Sequence, residues 1–246
     1  MSGLHGVRLS ACFALPPNSR SYCGKSDFQK KLQNYLAHSG KKEKQALEHS
    51  MRSFLAHYSY LQAIASANKL PVFHPKVTEA VWIGNNFLFN VKRQAIEKLI
   101  LKNFCGPGLL SKKRAEKLAA NIPAGVVVHH SFHALYLHTI TGVISHTVQN
   151  ADHCIVHWNK VEKINGNRAL VQSQKLVKKD GKLALVPCKR TLKLVCRGLL
   201  LTSGLKKGDL VASHWGVAVM KLTRAQAKNL EKFTIINVRA LNSMKA

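Results

Sequence analysis

The chain has 246 residues, 46% of them hydrophobic, and carries 38 Lys and Arg against 11 Asp and Glu, a formal charge of +27. That length suits one large or two modest domains, and that apolar content excludes wholesale disorder. No apolar run approaches the roughly 20 residues that span a bilayer. Residues 1–10 contain His5 and Arg8 and no long apolar stretch, so no signal peptide is read and a cytoplasmic protein without membrane insertion is expected.

The opening, residues 9–24, reads as an ordered loop, because Pro16-Pro17 blocks a helix and Asn18, Ser19 and Gly24 favour turns. Ser26 is then placed to cap a helix with Phe28, Leu32, Tyr35 and Leu36 on one face, ended by Gly40. A long second helix is expected over about 42–68, with a stripe of Leu47, Met51, Phe54, Leu55, Tyr58, Leu61 and Ile64. Pro71 and Pro75 bracket a break. A third helix follows, with Val77, Ala80 and Val81 inward and Phe87 and Leu88 as further candidates. Residues 91–104 read as helical through Ala95, Leu99 and Ile100, and Ser111 caps a short helix ending near Asn121. This half is an α-helical domain over residues 1–150.

From Cys154 the apolar period becomes two. Residues 154–164 and 168–177 form a hairpin around Asn165-Gly166, and Lys179-Asp180-Gly181 marks another turn. Strands are expected over 182–187, 191–197 and 210–222. Thr223 caps a terminal helix with Ala227, Leu230 and Phe233 inward. Short antiparallel strands with hairpin turns favour a small closed barrel, which leaves no free edges. The fold class is therefore α+β, with a barrel domain over residues 151–246.

The segment Gly208-Asp209-Leu210-Val211-Ala212-Ser213-His214-Trp215-Gly216-Val217-Ala218-Val219-Met220-Lys221-Leu222 resembles the signature of the HypC/HupF family of [NiFe]-hydrogenase maturation chaperones. Gly208, Asp209, His214, Gly216, Ala218 and Lys221 match it. Cys154, Lys160 and Val161 reproduce the spacing of the family's opening cysteine and its Lys-Val pair. The resemblance covers about a third of the chain and implies a HypC-like, OB-like β-barrel. It also implies that Cys154 and His214 help hold iron carrying cyanide and carbon monoxide, in transit between maturation proteins or to the hydrogenase large subunit. The departures are the internal position of Cys154, Trp158-Asn159 in place of Pro-Gly, an insertion around residues 178–203, and a basic helix after Lys221. Upstream, Pro16-Pro17-Asn18, Tyr22-Cys23-Gly24, Val81-Trp82-Ile83-Gly84-Asn85 and His129-His130-Ser131-Phe132-His133 resemble an uncharacterised bacterial family sometimes associated with hydrogenase genes.

Thiolate and imidazole together suit a soft or borderline metal such as ferrous iron, and two ligands make an open site that suits a carrier. For each residue alone, the plainer reading is a buried thiol and a strand histidine. His129, His130, His133 and His138 form a second signal. On a helix His129 and His133 share a face at zincin spacing, which makes them metal candidates. No carboxylate lies between Glu116 and Asp152 to act as base, so the segment reads first as interdomain packing. The cysteines Cys12, Cys23, Cys105, Cys154, Cys188 and Cys196 form no CxxC pair and read as reduced thiols. Cys23 would be a nucleophile only if a histidine approached it.

The leading function is an accessory factor of metalloenzyme maturation that escorts an iron-ligand unit or an apo-subunit and turns over nothing itself. A nucleic-acid-binding protein is the main alternative, since +27 attracts polyanions. Its basic runs, such as Lys112-Lys113-Arg114, lack interleaved aromatics. A metal-dependent enzyme at the domain junction is the third reading.

Overall fold

The computed structural model describes residues 6–106, 109–137 and 144–244; His138 lies outside them. The chain opens on helix α1 (Gly6–Asn18), not on a loop. Pro16 and Pro17 occupy its last turn, where they remove two backbone donors but end the helix instead of preventing it. Helix α2 (Phe28–His38) buries Phe28, Leu32 and Tyr35, as their spacing predicts, and Ser39 closes it in the left-handed region at φ 51°. The expected helix over 42–68 is two helices, α3 (Lys41–Met51) and α4 (Leu55–Asn68). The break at 52–54 resets the helical phase. Leu55 is consequently 50% exposed, while His57 and Tyr60 turn inward.

Helix α5 (Pro75–Trp82) starts on its proline and buries Val77, Ala80, Val81 and Trp82. A 3-10 turn (Asn86–Asn90), helix α6 (Arg93–Lys98) and a π-helical turn (Leu99–Asn103) lead to α7 (Lys112–Ala120), capped by the Ser111 side chain as expected. A three-residue helix, α8 (His130–Phe132), runs into a π-helical turn (His133–Leu137). Helix α9 (Val148–Cys154) follows, so Cys154 ends a helix; the strand predicted to start there begins three residues later.

Five longer strands are β1 (His157–Asn165), β2 (Arg168–Lys179), β3 (Lys182–Lys193), β6 (Leu210–His214) and β7 (Val217–Leu222). Between them, β4 (Val195–Cys196) and β5 (Leu199–Leu200) form a separate small hairpin. The longer strands hydrogen-bond in the order β1-β2-β3-β7-β6, and β6 pairs with β1 to close the ring. The two segments read as strands over 182–187 and 191–197 are largely one strand, β3, with Pro187 on the edge that lacks a partner there. The expected strand over 210–222 is a hairpin. Trp215 and Gly216, at φ 49° and 74°, make its two-residue turn between paired His214 and Val217. Ala218 fills the ring with Val161, Val171 and Val211, while Val217 and Val219 face the helices.

Helix α10 (Arg224–Asn242) starts at a Thr223–Gln226 capping box and buries Ala227, Leu230 and Phe233. It runs nine residues beyond Phe233, to Asn242. One core cluster contains Leu15, Trp82 and Phe132 from the helices, Trp158, Val217 and Val219 from the strands, and Leu230 and Phe233 from α10. Gly84, at φ 91°, lets the end of α5 meet Phe233 so closely that a Cβ would lie 2.2 Å from the ring. The seam between helices and strands is thus a continuous apolar core, and the candidate site lies in it. No helix among the described residues is long and apolar enough to cross a membrane.

Candidate metal centre

Three side chains from separate parts of the chain meet at this seam. His130 comes from the start of α8, Cys154 from the end of α9 and His214 from the end of β6. Their donor atoms all lie within 4.8 Å of one another and all three residues are buried. His130 Nε2 lies 3.8 Å from Cys154 Sγ. Ligands on one tetrahedral ion sit about 3.5–4 Å apart, so closing the widest gap requires a shift of about 1 Å.

The orientation of His214 follows from the proline pair. A proline at 17 has no N–H to bond the carbonyl four residues back, and the Phe13 carbonyl instead accepts from His214 Nδ1 at 2.7 Å. A carbonyl only accepts, so Nδ1 carries the proton. The neutral ring then has its lone pair on Nε2, which is buried and makes no hydrogen bond among the described residues. This is the state in which imidazole binds a metal, with the second nitrogen held by a backbone oxygen.

Cys154 is placed by Asp152 on the same helix. The Asp152 carboxylate accepts from Arg190 Nη2 at 2.7 and 2.8 Å and from the Leu176 amide at 2.7 Å. His157 Nε2 donates to the Asp152 carbonyl at 2.7 Å, and the Trp215 amide donates to the His153 carbonyl at 3.1 Å. These bonds tie α9 to β2, β3 and the β6–β7 turn, which carries His214 at its edge.

Burial governs the protonation of the site. It pushes the Cys154 thiol up to about 12, against a smaller opposing effect of the Trp215 indole, whose Nε1 completes no hydrogen bond. It pushes His214 down to about 4, although the Phe13 and Cys154 carbonyls both favour its charged form. His130 lies well below its ordinary value, through burial first and then the neighbouring histidines. The site is therefore a neutral thiol and two neutral imidazoles. A divalent ion would favour the thiolate, because it supplies the charge that burial otherwise disfavours.

A cavity of about 130 Å³ adjoins the three donors, lined also by Cys23, His57, Tyr60, Trp82 and His133. The Trp82 ring lies 4.3 Å from His130, 4.8 Å from His57 and 5.5 Å from His214, centroid to centroid. His133 Nδ1 meets the Tyr60 hydroxyl at 3.5 Å. The cavity opens beside the exposed Gly24 and Leu55.

Cys154 and His214 are thus together, joined by His130 where the helical spacing selects His129 and His133. His133 lines the same cavity. His129 does not join the donors: it precedes the helix as its N-cap, at φ −74° and ψ 156°, and its Nδ1 accepts from the Ser131 amide. Asn237 of α10 holds that turn by donating to Ser131 Oγ at 2.9 Å and bonding both backbone groups of Val127. His57 had no signal in the sequence reading, because a continuous helix through 52–54 puts Leu55 and Tyr58 inward instead.

A family of unknown function (DUF6390) matches residues 2–246. No curated protein matches the chain, and no solved structure matches it.

Proposed function

We propose a function from the premise that the chain belongs to the DUF6390 family of unknown function, whose match spans helices, strands and all three donors as one unit. The protein is a metal-carrying accessory factor. His130, Cys154 and His214 hold one soft or borderline divalent ion, ferrous iron first among them, as cargo for another protein. The observation that carries this reading is the convergence of those donors, 24 and 60 residues apart along the chain from Cys154, to within 4.8 Å. Three protein ligands leave a coordination position facing the cavity, as carrier and catalytic sites do and closed structural sites do not. No carboxylate lines that cavity among the described residues, so a hydrolytic base is lacking and carriage is favoured over turnover.

Two of the three donors are the residues that the HypC/HupF resemblance singles out, and the closed five-stranded ring supports a HypC-like barrel. On that likeness the cargo is iron bearing cyanide and carbon monoxide, and the partners are hydrogenase maturation proteins or the large subunit. The test is anaerobic purification after co-expression with the maturation machinery, followed by iron analysis and infrared spectroscopy. One iron per chain with cyanide and carbonyl bands is expected, lost in Cys154→Ser and in His214→Ala. Failure of the folded protein to retain iron, cobalt or zinc at one per chain would sink the reading. Nanomolar RNA binding near physiological salt would instead move the function to the basic surface.

A further inference from the structure

We infer that the cavity beside the three donors binds a small monoanion, which occupies the open coordination position of the metal and accepts a hydrogen bond from His57. The inference rests on the metal reading above and names what completes that site.

Charge balance gives the ligand class. A divalent ion that carries no cyanide of its own keeps, with one thiolate and two neutral imidazoles, a net charge of +1 in a buried place. An uncompensated charge there is costly, and proteins ordinarily neutralise it with a carboxylate. Here no Asp or Glu lines the cavity among the described residues. An exogenous monoanion supplies the missing charge.

Volume gives the ligand size. The cavity of about 130 Å³ is comparable to one of about 150 Å³ that encloses benzene. That admits a ligand of a few heavy atoms and is too small to enclose a nucleotide. Phe54, Tyr60, Trp82 and Trp215 line it, so the space is mainly apolar with few polar contacts.

His57 gives the polar contact. It is 6% exposed, and neither ring nitrogen has a hydrogen-bond partner among the described residues. Its ring packs on Trp82, which a phenylalanine would do as well. An unsatisfied buried polar group costs about 1–3 kcal/mol, so a histidine in that place calls for a partner in the cavity. Burial, with His214 and His133 close by, pushes it down to about 3. It is neutral at ordinary pH, with one N–H to donate. Azide and formate have the required form: one end for the metal and one acceptor for that N–H.

Cys23 is the competing source of negative charge, since its thiol also lines the cavity. A second thiolate on the metal would make an added anion unnecessary. The experiment therefore uses the full chain loaded with cobalt(II), whose visible bands report coordination and whose thiolate charge-transfer band counts sulfur ligands. Azide and then formate are titrated into wild type, His57→Phe, His57→Gln and Cys23→Ser, and cobalt stoichiometry is read in each sample. We expect saturable one-to-one azide binding in wild type and at least tenfold weaker binding in His57→Phe. His57→Gln, which restores a donor, is expected to recover part of the loss. Azide that leaves the loaded wild type unchanged, or binds His57→Phe equally well, overturns the inference while the metal reading stands. A charge-transfer band halved in Cys23→Ser also overturns it, with Cys23 as fourth ligand. Absence of cobalt binding in wild type removes the metal reading itself and this inference with it.

Discussion

His214 is held by a carbonyl that a proline leaves free, and this coupling can be tested at a single residue. In Pro17→Ala the restored amide competes for the Phe13 oxygen that now accepts from His214 Nδ1. A carbonyl has two lone pairs, so the competition is partial. We expect α1 to be as stable or more so, and cobalt(II) affinity to fall several-fold, because the ring loses the bond that fixes its tautomer. Titration of the metal alongside a thermal melt separates the two effects; unchanged affinity would show that the carbonyl does not orient the ring. At this scale the sequence was partly readable. Cys154 and His214 stood out through a family resemblance, and the histidine run was visible without its internal order. His130 replaces His129 because a cap residue has extended backbone and its ring leaves the helical face. His57 was hidden because nothing in the apolar pattern marks the three-residue break that turns it inward.

Helix α9 carries one donor, and the Asp152 carboxylate accepts three of the hydrogen bonds that attach it to the ring of strands. Asp152 and Arg190 have side chains that are 5% and 20% exposed, and the same carboxylate accepts the Leu176 amide. Removing one partner of such a buried pair costs about 3–5 kcal/mol, because the other charge is left unpaired. Asp152→Asn should therefore lower the urea-derived stability by that order and weaken metal binding, since Cys154 lies two residues along the same helix. A variant with intact stability and metal affinity would show that α9 is placed by its apolar contacts alone. Most elements were legible where a local rule operates. The Asp180-Gly181 turn, the Ser111 cap and the Thr223 cap are where their residues predict, and each depends on side chains within four positions. The errors came where local chemistry allows two outcomes. Pro16-Pro17 both breaks helices and fits a last turn, and Trp215-Gly216 forms a hairpin turn although a tryptophan at positive φ is an uncommon turn residue.

The whole molecule gathers neutral histidines inside and positive charge outside, and the two features act together in acid. Burial pushes His57 and His129 from 6.5 down to about 3. Above pH 6.5 these rings are neutral in both folded and unfolded chains and contribute nothing to the pH dependence. Between about 6.5 and 3 the unfolded chain takes up their protons and the folded chain does not, so stability falls as pH falls. Each ring costs about 1.4 kcal/mol per pH unit in that window, and two cost about 3. His214, His157 and His130 are shifted in the same direction. Protonation also adds to a chain that already carries +27, which raises self-repulsion in the compact state. Asp27, Glu162 and Asp209 are held below their ordinary values by hydrogen bonds from Lys31, Lys189 and Lys221, so their protonation also removes stability as pH falls and does not offset the loss. Domains of this kind have about 5–15 kcal/mol in total. The metal-free protein should therefore unfold cooperatively near pH 5. Urea denaturation at a series of pH values from 8 to 4 measures this directly. Stability that is flat from pH 7 to 5 would mean that the buried rings open to water before they charge; a slope smaller by about one proton in His57→Phe would assign that share to the cavity histidine.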